Sequence, residues 1–216
     1  MDKKTVFSHI DHTLLKPEAT WADVDRVCRE AVDNGFASAC IPPRFVKQAK
    51  EKYGNRLTVC TVAGFPLGYN TTRVKVYEAQ EAVADGADEI DMVIHVGDAK
   101  AGDFDRVTEE IRAVKAACAG KILKVIIETS LLDDEEKAAL CASVTEAGAD
   151  FIKTSTGFGA SGAQAADIEL FKQHIGPQVK IKAAGGIRSK EAIEGFINQG
   201  CARVGASGAL KAYEEA

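Results

Sequence analysis

Short apolar runs rich in β-branched residues recur along the chain at 6–11, 36–41, 57–62, 89–93, 123–128, 151–154, 179–183 and 203–206. Each is followed by a longer stretch whose apolar positions repeat with helical spacing, near 20–34, 44–53, 71–85, 104–118, 134–147, 164–175, 189–199 and 207–214. A brief apolar run between turn residues predicts a strand buried on both faces, and the longer period predicts an amphipathic helix. Two helix starts are signed by capping boxes, Thr20 with Asp23 and Asp133 with Glu136. Strict alternation of strand and helix predicts an α/β fold with a parallel sheet. Eight such units in 216 residues predict a closed (β/α)₈ TIM barrel, one domain spanning 1–216. An open doubly wound sheet is the rival architecture, but no GxGxxG follows the first strand.

Gly35, Gly86, Gly148 and Gly200 each close a helix and precede an even-numbered strand, at spacings of 51, 62 and 52 residues. Each glycine is expected as a left-handed helix cap. Any βα protein can reuse that turn. A repeat in step with pairs of strands is nevertheless what a barrel of similar quarters would show.

Composition narrows the class. Hydrophobic residues at 46% and charged residues at 27% are ordinary for a soluble globular protein. The net charge of -5 comes with dispersed basic residues, which argues against a nucleic-acid partner. No apolar run approaches the length of a membrane helix, and the first residues have no signal-peptide core. The six cysteines are scattered without a CxxC pair, so neither zinc nor a disulfide framework is expected, and a reducing cytoplasm fits.

Candidate chemistry lies at the C-terminal ends of the strands, where barrels of this kind carry their sites. Those ends hold Asp11, Cys40, Asp91, Glu128, Lys153, Lys182 and the Gly-Ala-Ser-Gly of 205–208. Lys153 ends a buried run just before a glycine-containing turn. Desolvation disfavours an ammonium, and a neutral amine can attack a carbonyl to form a Schiff base. The plainer reading is a lysine snorkelling off a strand end. Lys182 ends a second strand in the same way, and two such lysines on neighbouring strands would disfavour each other's charge. A carboxylate such as Asp91 beside them could shuttle protons. Asp91 also reads as an interior ion-pair partner, and Lys182 as a phosphate ligand. By strand period, Glu89, Lys124 and Lys180 are expected as a structural ion network low in the barrel. Cys40 has no histidine placed to activate it and reads as a packing residue, as does His12; the four histidines lack metal-ligand spacing.

A phosphate site is expected at the last three strands. Thr156-Gly157, Gly185-Gly186-Ile187-Arg188 and Gly205-Ala206-Ser207-Gly208 follow strands six, seven and eight. Glycine lets loop amides approach an anion, and Arg188 adds charge. Ordinary βα turns are the alternative.

These motifs resemble the deoxyribose-phosphate aldolase family. The likeness rests on Phe151-Ile152-Lys153-Thr154-Ser155-Thr156-Gly157, Lys182-Ala183-Ala184-Gly185-Gly186-Ile187-Arg188 and Glu89-Ile90-Asp91-Met92-Val93. Ile10-Asp11-His12-Thr13-Leu14, Cys40-Ile41-Pro42-Pro43-Arg44-Phe45 and Lys124-Val125-Ile126-Ile127-Glu128-Thr129 agree as well, so it runs from about residue 8 to 210. The resemblance implies a class I aldolase, a carbon–carbon lyase of carbohydrate degradation without metal or cofactor. It would reversibly cleave 2-deoxy-D-ribose 5-phosphate to D-glyceraldehyde 3-phosphate and acetaldehyde, in deoxynucleoside and deoxyribonucleotide breakdown. By position, Lys153 matches the Schiff-base lysine, and Asp91 and Lys182 match the proton-transfer pair. Asp11, Thr156, Gly157, Gly185, Gly186, Arg188, Gly205, Ser207 and Gly208 are expected to bind substrate and its phosphate. The expected partners are a small phosphosugar and an aldehyde, with neither nucleic acid nor membrane, and a homo-oligomer, taken as a dimer. Two departures stand out. Phe158 occupies a place where some members carry lysine, and the chain ends soon after Tyr213, where some members extend to a tyrosine that reaches the site. Rival functions are another Schiff-base aldolase and a phosphosugar-binding protein without catalysis.

Overall fold

A computed structural model describes residues 1–214 of the chain. Eight strands form a closed, all-parallel barrel in sequence order: β1 Ile10–Thr13, β2 Ser38–Cys40, β3 Val59–Ala63, β4 Glu89–Val93, β5 Ile122–Ile126, β6 Phe151–Lys153, β7 Lys180–Ala184 and β8 Arg203–Ala206. Pairing of Ile10 with Val204 and Asp11 with Gly205 closes the ring. Around it run α2 Trp21–Asn34, α3 Val46–Tyr53, α4 Thr72–Ala84, α6 Phe104–Ala117, α7 Asp134–Glu146, α8 Ala165–His174, α9 Lys190–Asn198 and α10 Ala209–Glu214. Two short helices, α1 Lys3–Phe7 and α5 Val96–Lys100, complete the described set. No described helix is long and apolar enough to cross a membrane.

Alternation along the strands divides two environments. Ile90, Met92, Leu123, Val125, Ile152, Ile181, Ala183 and Val204 are buried in the apolar layer beneath the helices. On α2, Val24, Val27, Cys28 and Ala31 form the matching buried stripe. Fully burying one such large apolar side chain contributes roughly 1.5–3 kcal/mol. The opposite positions, Glu89, Asp91, Lys124, Lys153 and Lys182, carry charge and are also buried. The barrel interior is thus ionic where branched aliphatic residues usually fill it.

Both capping boxes form: Thr20 and Asp133 accept from the amides of Asp23 and Glu136, whose side chains accept in return. Gly35, Gly86, Gly148 and Gly200 all have positive φ, so the expected left-handed turns precede even-numbered strands.

The first expected strand divides in two. Val6 and Phe7 belong to α1, whose start is capped by the Asp2 side chain. Phe7 packs on Phe36 at 4.4 Å between ring centroids, and only from Ile10 does the chain enter the barrel. The helix expected over 44–53 opens as a 3₁₀ turn at Pro43–Phe45. Helix α5, between β4 and α6, has no counterpart in the sequence pattern.

Candidate active site

Asp91 is the hub of the barrel interior. Its Oδ2 lies 2.7 Å from the Nζ of Lys153 and 2.7 Å from that of Lys182. Its Oδ1 accepts from Lys124 at 2.8 Å and from the Cys60 thiol at 3.2 Å. The strand register explains the convergence. Lys153 pairs directly with Lys182 across β6 and β7, and Asp91 with Lys124 across β4 and β5. Side chains of one strand parity at one level must meet on the axis of a closed barrel.

Below this level Asp11 and Glu89 extend the network. Asp11 meets Lys182 at 2.5 Å, Arg203 at 2.6 Å and the Ser38 hydroxyl at 2.8 Å. Glu89 holds both terminal nitrogens of Arg203, at 2.8 and 2.9 Å, and meets Lys124 at 2.6 Å. Lys180, expected here with Glu89 and Lys124, is instead exposed at the opening of β7, its ammonium over the Phe151 ring. Arg203 takes that place. The period of a strand tells which face a residue takes but not its depth.

Burial alone would push the Asp91 carboxyl up, but Lys124, Lys153 and Lys182 outweigh it and hold it well below the usual range. Asp11 is likewise lowered, by Lys182, Lys124 and Arg203 against its burial. Burial disfavours the ammonium of Lys182, yet Asp11 and Asp91 raise it above the ordinary lysine value. Lys124 is raised in the same way, chiefly by Asp91. Lys182 therefore keeps its proton, against the expected loss of charge beside a second lysine.

Three carboxylates, Asp11, Glu89 and Asp91, thus share the interior with Lys124, Lys153, Lys182 and Arg203. With every lysine protonated, the network carries one excess positive charge. Lys124 meets Glu89 and Asp91, Lys182 meets Asp11 and Asp91, and Arg203 meets Asp11 and Glu89. Among the described carboxylates Lys153 meets Asp91 alone. Buried charge is costly unless balanced. Lys153 is thus the axial amine held by the fewest carboxylates among the described residues.

Above the network the loops after the strands bound a cavity of about 370 Å³. Of the expected phosphate ligands, Thr156, Gly157, Gly185, Gly186, Arg188, Gly205 and Ser207 line it. Asp11 does not, being wholly buried in the ion network, and Gly208 lies just past the lining. Gly157 and Gly186 have φ of +87° and +72°, conformations that disfavour any residue with a Cβ. Lys16, on the loop after β1, also lines the cavity. It escapes a search confined to the last three strands, although it stands only three residues past the end of β1. Phe158 lines the cavity too and meets Phe65 edge to face, with 5.4 Å between ring centroids.

Cys40 is buried in a small apolar cluster with Cys60 and Val62. His12 is buried, bonded to Glu30 at 2.7 Å and stacked on Phe36. Tyr213 donates to Glu194 and packs on Phe7, away from the cavity. Sulfur and carboxylate ligand atoms of Cys40, Cys60 and Asp91 lie close enough together for a metal. The carboxylate there is already neutralised by ammonium groups, and burial raises the Cys60 thiol, so this donor set does not suit a cation.

The family model described as DeoC/LacD family aldolase matches residues 5–212. A deoxyribose-phosphate aldolase of Clostridium botulinum (strain Alaska E43 / Type E3) is 55% identical over 210 residues, 97% of this chain and 95% of the relative. One from Clostridioides difficile (strain 630) is 50% identical, over 96% of this chain and 95% of its own. Among solved structures, a tetrameric deoxyribose phosphate aldolase from Aeropyrum pernix superposes with a TM-score of 0.91 at 35% identity, over 99% of this chain and 92% of that one.

Proposed function

We infer the chemistry of the site from one premise: this chain belongs to the DeoC/LacD aldolase family. Its reaction is the reversible cleavage of 2-deoxy-D-ribose 5-phosphate to D-glyceraldehyde 3-phosphate and acetaldehyde, the activity that relatives at 50–55% identity support. It is a class I aldolase, and its electrophile is an imine formed on the protein.

Lys153 is the nucleophile. Its neutral amine adds to C1 of the open-chain sugar, and loss of water leaves a protonated imine. A base takes the proton of the C3 hydroxyl. The C2–C3 bond breaks, its electron pair passes to the imine as an enamine, and glyceraldehyde 3-phosphate departs. Protonation of the enamine carbon and hydrolysis release acetaldehyde and the free amine. Asp91 and Lys182 supply and collect these protons, since both lie at hydrogen-bond distance from one another and Asp91 from Lys153. The sugar phosphate lies in the cavity over Gly157, Gly186 and Ser207, with Arg188 and Lys16 as its cations. The observation that carries this reading is that, among the described lysines on the barrel axis, Lys153 alone is paired with a single carboxylate, directly across from Lys182.

The test is reductive trapping. Acetaldehyde and borohydride should leave an ethyl group on Lys153, located by peptide mass mapping, and Lys153→Ala should retain its fold and lose the adduct and essentially all aldol activity. An adduct on Lys182 would reverse the assignment, and no adduct would return the chain to a binding role. As to setting, the chain works in the cytoplasm as a homo-oligomer, a dimer by our reading. The tetrameric relative from Aeropyrum pernix supports self-association, and light scattering decides the number.

A further inference from the structure

Glu128 follows β5 and takes no part in the ion network. Its backbone is left-handed, φ 55° and ψ 66°, a conformation that costs free energy in any residue with a Cβ. Its side chain is buried at 5% exposure. Its Oε2 accepts from both the amide of Thr156, at 3.2 Å, and the Thr156 hydroxyl. That hydroxyl in turn accepts from the Phe158 amide at 3.0 Å. One carboxylate oxygen therefore fixes both ends of the Thr156-Gly157-Phe158 turn, and all three residues line the large cavity.

The other side of the contact is shaped to match. A Cβ on Gly159 would lie 3.0 Å from Glu128 Oε1 and 3.1 Å from Ser130 Oγ, so the loop lies directly on these atoms. Both atoms are buried without a hydrogen-bond partner among the described residues. A strained backbone and a half-used buried carboxylate are destabilising features, and such features persist where they hold a functional group in place.

We propose that Glu128 is a positioning residue, which holds the Thr156 amide and hydroxyl and so fixes the loop after β6 with the Gly157 amide presented to the substrate's phosphate. It touches neither the phosphate nor Lys153. The proposal rests on the assignment of the large cavity to phosphate. It adds the group that keeps the phosphate-facing turn in one conformation before substrate arrives, so that binding does not have to order it.

The experiment compares the wild type with Glu128→Gln and, from the loop side, Gly159→Ala. Glutamine keeps the shape but loses the charge on the doubly bonded oxygen. Hydrogen exchange across 154–160 reads the loop directly, and both variants should exchange faster at Thr156 and Phe158. KM for deoxyribose 5-phosphate and the inhibition constant for inorganic phosphate should rise about tenfold, the loss expected for one charge-assisted hydrogen bond. Borohydride trapping with acetaldehyde should keep its wild-type yield. Unchanged exchange overturns the proposal. So does faster exchange with equal losses on phosphorylated and unphosphorylated sugar, because Glu128 would then serve stability alone. A wild type that cleaves both sugars equally and ignores inorganic phosphate refutes the phosphate assignment itself, and the role given to Glu128 falls with it.

Discussion

Asp91 Oδ2 is a buried carboxylate oxygen shared by two amines, and the mechanism proposed above runs through it. It ties Lys153 to Lys182, so the three side chains form one hydrogen-bonded unit. Groups coupled in this way lose activity non-additively when removed. Asp91→Asn should keep the trapped imine but slow cleavage by roughly 10² to 10⁴, the usual worth of a positioned proton carrier. Lys182→Leu should fall in the same range, and the double variant should be little worse than the poorer single one. Rates and trapping yields of the three variants, measured together, check this. Fully multiplying losses, or an Asp91→Asn protein that cannot be trapped, would make Asp91 a structural partner only. At this scale much of the site was legible. Lys153 ends β6 as expected, while Asp91 and Lys182 sit in mid-strand in β4 and β7, on the inward parity that strand period already assigned them. Asp11 was misplaced because adjacency to a strand end does not tell whether a carboxylate faces the loops or the axis. Arg203 opens its strand, far from where catalytic groups are sought, and only the closed ring brings it to Glu89 and Asp11. Lys16 was hidden for a different reason: a single lysine on a loop carries no pattern, and only the fold brings it to the same cavity as Arg188.

Among the elements, helices were easier to read than strands because their ends are signed chemically. Thr20 and Asp133 each satisfy an amide that the helix itself leaves open. Thr20→Ala and Asp133→Ala should each cost about 1 kcal/mol, read as a lower urea midpoint with an unchanged slope. Activity should stay at the wild-type level, since neither residue approaches the interior network. The strands were found in number and order, and β4 and β8 keep their expected bounds; the first begins four residues late and the other ends shift by up to two, because a run of apolar residues does not mark where pairing begins. Helix α1 was missed for a specific reason. Val6 and Phe7 precede Ile10 closely enough to continue an apolar run, and in so short a segment neither period can be counted. The Asp2 cap, with its hydrogen bonds to the Thr5 amide and hydroxyl, was the overlooked sign. Helix α5 is a single short turn begun by His95, which accepts from the Asp98 amide, and five residues are too few to show an amphipathic face.

For the whole molecule, the ionic interior links stability to pH. Asp11 and Asp91 have lowered folded-state values, so their contribution is present above the unfolded carboxyl value of about 4 and is lost as pH falls through the folded values. Lys124 and Lys182 have raised values, so theirs is complete below the unfolded lysine value of about 10.4 and is lost as pH rises through the folded ones. The network's contribution should therefore be flat between about pH 4 and 10 and fall on either side. Urea unfolding across that range tests it, and Arg203→Met should destabilise throughout by roughly 3–5 kcal/mol, by leaving buried carboxylates without their partner. The closed ring has another consequence, carried by the cysteines. All six are buried and unbridged. Burial pushes the thiols of Cys28, Cys141 and Cys201 up to about 12 and that of Cys118 up to about 11, so in the closed protein they are poor nucleophiles as well as hidden ones. Each is a clock that starts only when its surroundings breathe. Cys28 and Cys141 time the release of α2 and α7, Cys118 and Cys201 time the approaches to β5 and β8, and Cys40 and Cys60, packed together, time the axis itself. A ring without an edge strand offers no place from which to unzip. Under a thiol reagent, mass spectra should therefore show the outer four labelled first at separate rates, and Cys40 and Cys60 only as the barrel is lost as a unit.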